Sequence, residues 1–309
     1  MKHFLFILTW ILLASIWGIF LFASYETKYV PSQVQTGVES PPLSLNTTDS
    51  WTASGGENIE SGKVIPPKIC VENPKVHFFM YHYIRDDDTH DTHGTHELSI
   101  PPNLFEKQME KVHALAASGS VSLMQWTEFL SALKEHCYPG KEIWIFTDDD
   151  GWIDTYASLY PIAKKYEVPF FLGIIANRLD KPGFVTRTQV QEISNNPLFT
   201  ISSHSLTHSD ESHMDIDTEI HEMCESKNII ESTIWKSVDT YIYPSGRIGT
   251  WSVHNIEVCG YMLAWSTQFG STFRPDSNKW AQVNRTRIGR ETSPEYFEKL
   301  LLDSTGTAR

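Results

Sequence analysis

The sequence predicts an α/β fold in which a mainly parallel sheet, covered by helices, curls into a distorted or incomplete (β/α) barrel. Two observations carry that expectation. From Val76 onward, short and almost continuously apolar runs alternate with amphipathic stretches, the pattern of strands buried on both faces. No glycine-rich nucleotide loop follows any of those runs, which disfavours an open doubly wound sheet. With 309 residues, 40% hydrophobic and 20% charged, the chain has room for one such domain with appendages.

The appendages come first. The stretch FLFILTWILLASIWGIFLFAS, Phe4 to Ser24, is uncharged over roughly the 20 residues a helix needs to cross a bilayer. It ends in LFAS, a poor match to a small-x-small cleavage site, so residues 1–24 are expected to form a signal anchor, one transmembrane helix. The remainder would then be membrane-anchored and extracytoplasmic, either periplasmic or at the cell surface. Cleavage would instead leave a secreted domain. Residues 25–70 are rich in Ser, Thr, Gly, Pro and Asn with no sustained apolar period, and read as a disordered linker. Residues 71–309 form the folded domain.

Within that domain VHFFMYH reads as a strand, followed by helices over LFEKQMEKVHALAAS and MQWTEFLSALKE. The strand EIWIF, the helix TYASLYPIAKKY and the strand VPFFLGII come next. Then follow the helix TRTQVQEIS, the strand LFTIS and the long helix DTEIHEMCESKNIIESTIW. The strand TYIYP, the helix WSVHNIEVC and the strand YMLAWS complete the run.

In barrel folds, reactive groups project from the C-terminal ends of strands. Two polar clusters fall there. TDDDGW directly follows EIWIF and places Asp148, Asp149 and Asp150 at a strand-to-helix turn, with Gly151 allowing a tight backbone. SSHSLTH directly follows LFTIS and places His204 and His208 four residues apart, so a helical turn would point both imidazoles one way. Two His and one carboxylate are the ligand set of a catalytic Zn²⁺ or a related divalent ion. Such an ion would relieve the repulsion within the Asp run, and a second carboxylate could serve as general base.

A net charge of -13 argues against nucleic acid as a partner. The four cysteines, Cys70, Cys137, Cys224 and Cys259, show no CxxC pair; buried thiols and one or two disulfides both fit. The loop RDDDTHDTHGTHEL has a metal-site composition but no flanking apolar structure, and is expected to be a solvated loop near the site mouth. Trp152 and Trp265, with Tyr243, are expected to line a ligand groove, because aromatic rings offer flat apolar faces for stacking.

TDDDG and HSLTH resemble the first two motifs of the polysaccharide deacetylases, the NodB-homology carbohydrate esterases of family 4. Those motifs usually read Thr-Phe-Asp-Asp-Gly and His-Ser/Thr-x-x-His. FMYHYI, LFEKQMEKV, VSLMQWTEFL, YPSG and VNRTRIGRETSPEYF are similar to the branch that deacetylates poly-N-acetylglucosamine, over residues 76–301. The resemblance implies a NodB-type barrel and a metal-dependent de-N-acetylase. It implies that Asp149 is the base and that Asp150, His204 and His208 hold the ion, Zn²⁺ or else Co²⁺, Ni²⁺ or Fe²⁺. It assigns the oxyanion donor to the backbone N–H of Ser245 and the general acid to His82.

The departures from the family pattern bear on activity. Asp148 stands where Phe is usual, Ile242 where an Arg normally orients the base, and Ser245 where Tyr is usual; the late Leu-x-His is missing. Arg247, Arg287 and Arg290 are the candidate replacements for that Arg. The expected function is hydrolysis of N-acetyl groups on an N-acetylglucosamine polymer at the cell envelope. The expected partners are that polymer, the membrane through the N-terminal helix, and polysaccharide synthesis or export machinery. The alternative is an inactive or weak glycan-binding homologue within an envelope or exopolysaccharide export assembly.

Overall fold

A computed structural model describes residues 59–60, 63–64, 70–86, 96–268, 275 and 280–305. The chain divides into two units, Met1–Ile65 and Pro66–Arg309. Of the first, a two-stranded antiparallel hairpin is described, β1 (Ile59–Glu60) with β2 (Lys63–Val64).

The second unit carries β3 (Lys75–Tyr81), β4 (Ser122–Leu123), β5 (Glu142–Asp148), β6 (Phe170–Ile174), β7 (Phe199–Ser203), β8 (Thr240–Ile242), β9 (Leu263–Trp265) and β10 (Thr286–Arg287). They form one sheet in the order β10-β3-β5-β6-β7-β8-β9, with β4 also paired to β5. Every pairing in it is parallel. The connecting helices are α1 (Pro102–Ala117), α2 (Trp126–Glu135), α3 (Tyr160–Lys165), α4 (Arg187–Ser194), α5 (Ile216–Ile234), α6 (Ser252–Val258) and α7 (Pro294–Thr305).

The strands are apolar on both faces because both are covered. One core joins Phe79, Tyr81, Phe146, Leu172 and Tyr241 to helix residues such as Met109 and Met223. Residues of opposite parity, including Phe78, Ile145, Phe171, Ile242 and Trp265, pack with Trp126 and Phe129 in a second core. Each large side chain so buried contributes about 1.5–3 kcal/mol of transfer free energy. Helix starts follow local chemistry. Thr186 and Gln189 form a reciprocal capping box on α4, and Asp215 caps α5 through the Thr218 N–H.

The curl nearly closes. Val283 bridges to Trp265, while Thr286 and Arg287 pair with Phe79 and Met80. One short segment therefore touches both edges of an incomplete parallel barrel, and the expected barrel is found in that form.

The membrane part of the expectation needs correction. Among the described residues no helix is long and apolar enough to cross a membrane. The transmembrane helix, the signal anchor, the membrane as a partner and a membrane-anchored location therefore have no structural counterpart among the described residues. Residues 1–24, where that helix was placed, lie outside the described residues, as do most of linker 25–70 and residues 87–95 of the Asp/His loop.

Candidate metal centre and active site

Strand β5 alternates its side chains between the two cores, and that alternation sorts the Asp run. Trp144 and Phe146 pack in the first core, so Asp148 follows them to the helix side, away from Ile143 and Ile145. There it is buried, and its Oδ2 accepts the Thr155 hydroxyl at 2.7 Å. Burial pushes its carboxyl well above the usual range, only partly offset by that bond, and Asp154, Asp149 and Asp150 push it further. Burial thus favours its protonated form, and its side chain points away from that of Asp149.

Asp149 has the opposite parity. Both its oxygens meet the guanidinium of Arg285, Nη1 at 2.7 Å from Oδ1 and Nη2 at 2.8 Å from Oδ2. Arg285 is itself fully buried, and also donates to the Ser266 carbonyl at 2.9 Å and to the Thr147 hydroxyl at 2.8 Å. Burial raises the Asp149 carboxyl, but Arg285 outweighs it and leaves the group below its ordinary value, ionised at neutral pH. His82 Nε2 lies 3.8 Å from Asp149 Oδ2. Burial lowers the His82 imidazole more than the Asp149 and Asp150 charges raise it, and its Nδ1 has no hydrogen-bond partner.

After Asp149 the backbone turns through two left-handed residues, Asp150 (φ 77°) and Gly151 (φ 70°). A Cβ on Gly151 would sit 3.0 Å from the Ile174 side chain, so glycine fits the turn. The turn aims Asp150 at the exit of β7. His204 Nε2 stands 3.2 Å and His208 Nε2 3.3 Å from Asp150 Oδ1. The two imidazoles do not share a helix, as their spacing suggested. Residues 204–208 form an irregular turn with Ser205 (φ 62°) and His208 (φ 65°) left-handed, and Ser205 Oγ accepts the His208 N–H at 2.8 Å.

Asp150, His204 and His208 each offer a ligand atom, and these atoms lie within 4.8 Å of one another. The donor chemistry fits a divalent cation. His204 Nδ1 is 2.8 Å from the Ile242 carbonyl, which makes it the N–H donor and leaves Nε2 a bare acceptor facing a carboxylate oxygen. A cation or a proton between them satisfies both. Burial raises the Asp150 carboxyl, yet the His204 and His208 contacts hold it well below the usual range. Trp152 Nε1–H donates to Asp150 Oδ2 at 3.0 Å, so the other oxygen faces the two imidazoles.

The remaining expected site residues fall in different places. Trp152 is half-buried, with its ring stacked on Phe184 at 4.2 Å and tilted against Tyr83 at 5.5 Å. Trp265 is fully buried between Phe78 and Phe171, and Tyr243 is fully buried with its hydroxyl on the Ala281 carbonyl at 3.0 Å. Neither presents a ring face to solvent. Their strand-end positions had suggested a groove, but the sheet curls over them. Ser245 is exposed in a left-handed turn after β8 (φ 54°). Of the three candidate arginines, Arg247 pairs with Asp210, while Arg287 and Arg290 are exposed. Arg285 takes the place expected of them. It lies just before β10 and is enclosed, whereas Arg287, within β10, is exposed, and no local signal in the sequence tells the two apart.

Residues 137–264 match the family model described as polysaccharide deacetylase. The poly-beta-1,6-N-acetyl-D-glucosamine N-deacetylase of Staphylococcus aureus (strain MRSA252) is 25% identical over 66% of this chain and 71% of its own. The YxkH protein of Bacillus subtilis (strain 168) is 24% identical over 74% of this chain and 77% of its own. The Streptococcus pyogenes deacetylase PplD, solved with acetate, superposes with a TM-score of 0.65 at 25% identity, covering 73% of this chain and 97% of that one. Fold and cluster together support a metal-dependent deacetylase.

Proposed function

The chain carries a polysaccharide deacetylase domain, and on that premise we propose that it removes N-acetyl groups from an N-acetylglucosamine polymer. The observation that carries the reading is the convergence of Asp150, His204 and His208 beside a separately held carboxylate, Asp149. Zn²⁺ is the ion we propose for the cluster. A divalent ion held there supplies Lewis acidity toward an amide carbonyl and a neighbouring water. Asp149, ionised and pinned by Arg285, takes a proton from the attacking water on a lone pair the guanidinium leaves free. His82, whose Nε2 lies 3.8 Å from Asp149 Oδ2, is proposed to take over the proton that Asp149 gains from the water and to pass it to the departing amine. The Ser245 N–H is proposed to face the developing oxyanion.

The binding-only alternative drew on the missing third-motif arginine, and Arg285 supplies that charge from another part of the chain. Acetate release from N-acetylglucosamine oligomers, β-1,6- and β-1,4-linked, tests the reading. Wild type with Zn²⁺ should release acetate, and Asp149→Asn should lose at least about 100-fold in kcat. Oligomer binding without acetate release by the Zn²⁺-loaded wild type would leave only the binding role.

A further inference from the structure

Behind the His-bearing turn lies a carboxylate that the proposed chemistry does not use. Glu222, on α5, is buried, and both its oxygens are spent on one residue. Oε2 accepts the Thr207 N–H at 2.8 Å and Oε1 accepts the Thr207 hydroxyl at 2.7 Å. Thr207 immediately precedes His208. The turn has no regular hydrogen-bond ladder of its own. It hangs from the short 3-10 turn after β6, Ala176–Arg178, through Ala176 N–H to Ser205 O (3.1 Å) and Asn177 N–H to Leu206 O (3.0 Å), and both anchors precede Thr207. His208 sits in a left-handed conformation that non-glycine residues seldom adopt, and its side chain is about a third exposed. Packing therefore does little to fix it. Beyond the Ser205 hydroxyl on its own N–H and the 2.6 Å hydrogen bond between the Thr207 and Ser209 hydroxyls, the Glu222 fork sets the path of the backbone into His208.

We infer that Glu222 is a positioning residue for the metal centre: from α5 it clamps Thr207 and so sets where His208 presents its Nε2. His204 needs no such clamp, being fully enclosed with its ring on the Ile242 carbonyl. The inference rests on the metal reading of Asp150, His204 and His208. Two charge-assisted bonds to one backbone-and-side-chain pair form a two-point fixture, so loss of the carboxylate frees the turn where it is irregular. Glutamine can restore the fixture, its carbonyl accepting the N–H and its amide donating to the Thr207 oxygen.

Co²⁺ binding to the metal-stripped full chain tests this, read by the visible d–d absorption and by competition with a chromophoric chelator. Glu222→Ala should weaken Co²⁺ affinity by about tenfold or more, the size typical of lost outer-sphere support. Its absorption should shift toward that of His208→Ala, and Glu222→Gln should return both readouts to near wild type. The metal-free thermal midpoints of Ala and Gln variants, measured alongside, separate a loss of general stability from a loss of His208 placement. Should Glu222→Ala fail to fold, Thr207→Val removes one of the two bonds and should still weaken binding several-fold. Unchanged affinity and spectrum in Glu222→Ala, or in Thr207→Val, overturn the inference. Failure of the wild type to bind Co²⁺ overturns the metal reading beneath it, a result distinguishable at the first titration.

Discussion

Arg285 and Asp149 form a buried ion pair in which neither charge has another full counterpart. Removing the guanidinium leaves a buried carboxylate without its counter-charge, which typically costs about 3–5 kcal/mol. The pH dependence should change sign. In the wild type the Asp149 carboxyl lies below its ordinary value, so its contribution to stability is present above about pH 4 and is lost as pH falls through the lowered value. In Arg285→Met burial, the largest influence, is opposed only by the His82 and His204 imidazoles and is expected to raise that carboxyl, so stability is present at acid pH and is lost as pH rises. Thermal midpoints of the metal-free proteins between pH 4 and 8 should show the variant gaining on acidification relative to the wild type. Equal pH slopes would refute the pairing. At this scale the sequence was legible where chemistry is local: the order Asp149, Asp150, Gly151 and the His204–His208 spacing announced a site. Arg285 was not, because nothing local distinguishes it from Arg287; only the curl decides which is enclosed.

Strands and most helices were legible as elements because burial on both faces writes a continuous apolar run and an amphipathic helix writes a stripe. Two elements departed from the expected regularity. The helix expected over TYASLYPIAKKY begins with one wide turn, a π-helix at Thr155–Leu159, before α3. Pro161 has no N–H to donate, and the Tyr160 N–H instead reaches back to the Thr155 carbonyl. The wide turn begins at Thr155, whose hydroxyl serves Asp148. Asp148 Oδ1 is already without a partner, so Thr155→Val would leave the buried carboxyl with none. We expect a loss of about 1–3 kcal/mol by urea denaturation, with much of it absent from a Thr155→Val, Asp148→Leu double variant. Additive losses would show that the bond carries no such weight. The second departure is the 204–208 turn, where helical spacing is met without a helix because Ser205 and His208 adopt left-handed angles.

Over the whole molecule, two cross-links staple elements distant in sequence. Cys224–Cys259 ties α5 to the end of α6, and Cys70–Cys137 lies beside the antiparallel Val71–Tyr138 bridge. Scattered positions without a CxxC pair could not reveal either pairing, since proximity is created by the fold. A loop the length of that between Cys224 and Cys259 implies about 3–4 kcal/mol of stabilisation from restricting the unfolded chain. Cys224→Ser with Cys259→Ser should lower the urea-derived stability by that order, and reductant, which also opens Cys70–Cys137, should cost the wild type more than the variant by about the same amount. Closure of the ring was equally illegible, because it depends on a segment with only two residues in regular pairing, Thr286 and Arg287. That closure has a practical corollary. The stretch matching the family model, 137–264, keeps all three imidazole and carboxylate donors yet excludes both His82 and Arg285. Those borders part the groups that would hold a cation from the groups that would use it, because here reactivity is assembled from the two extremities of the ring.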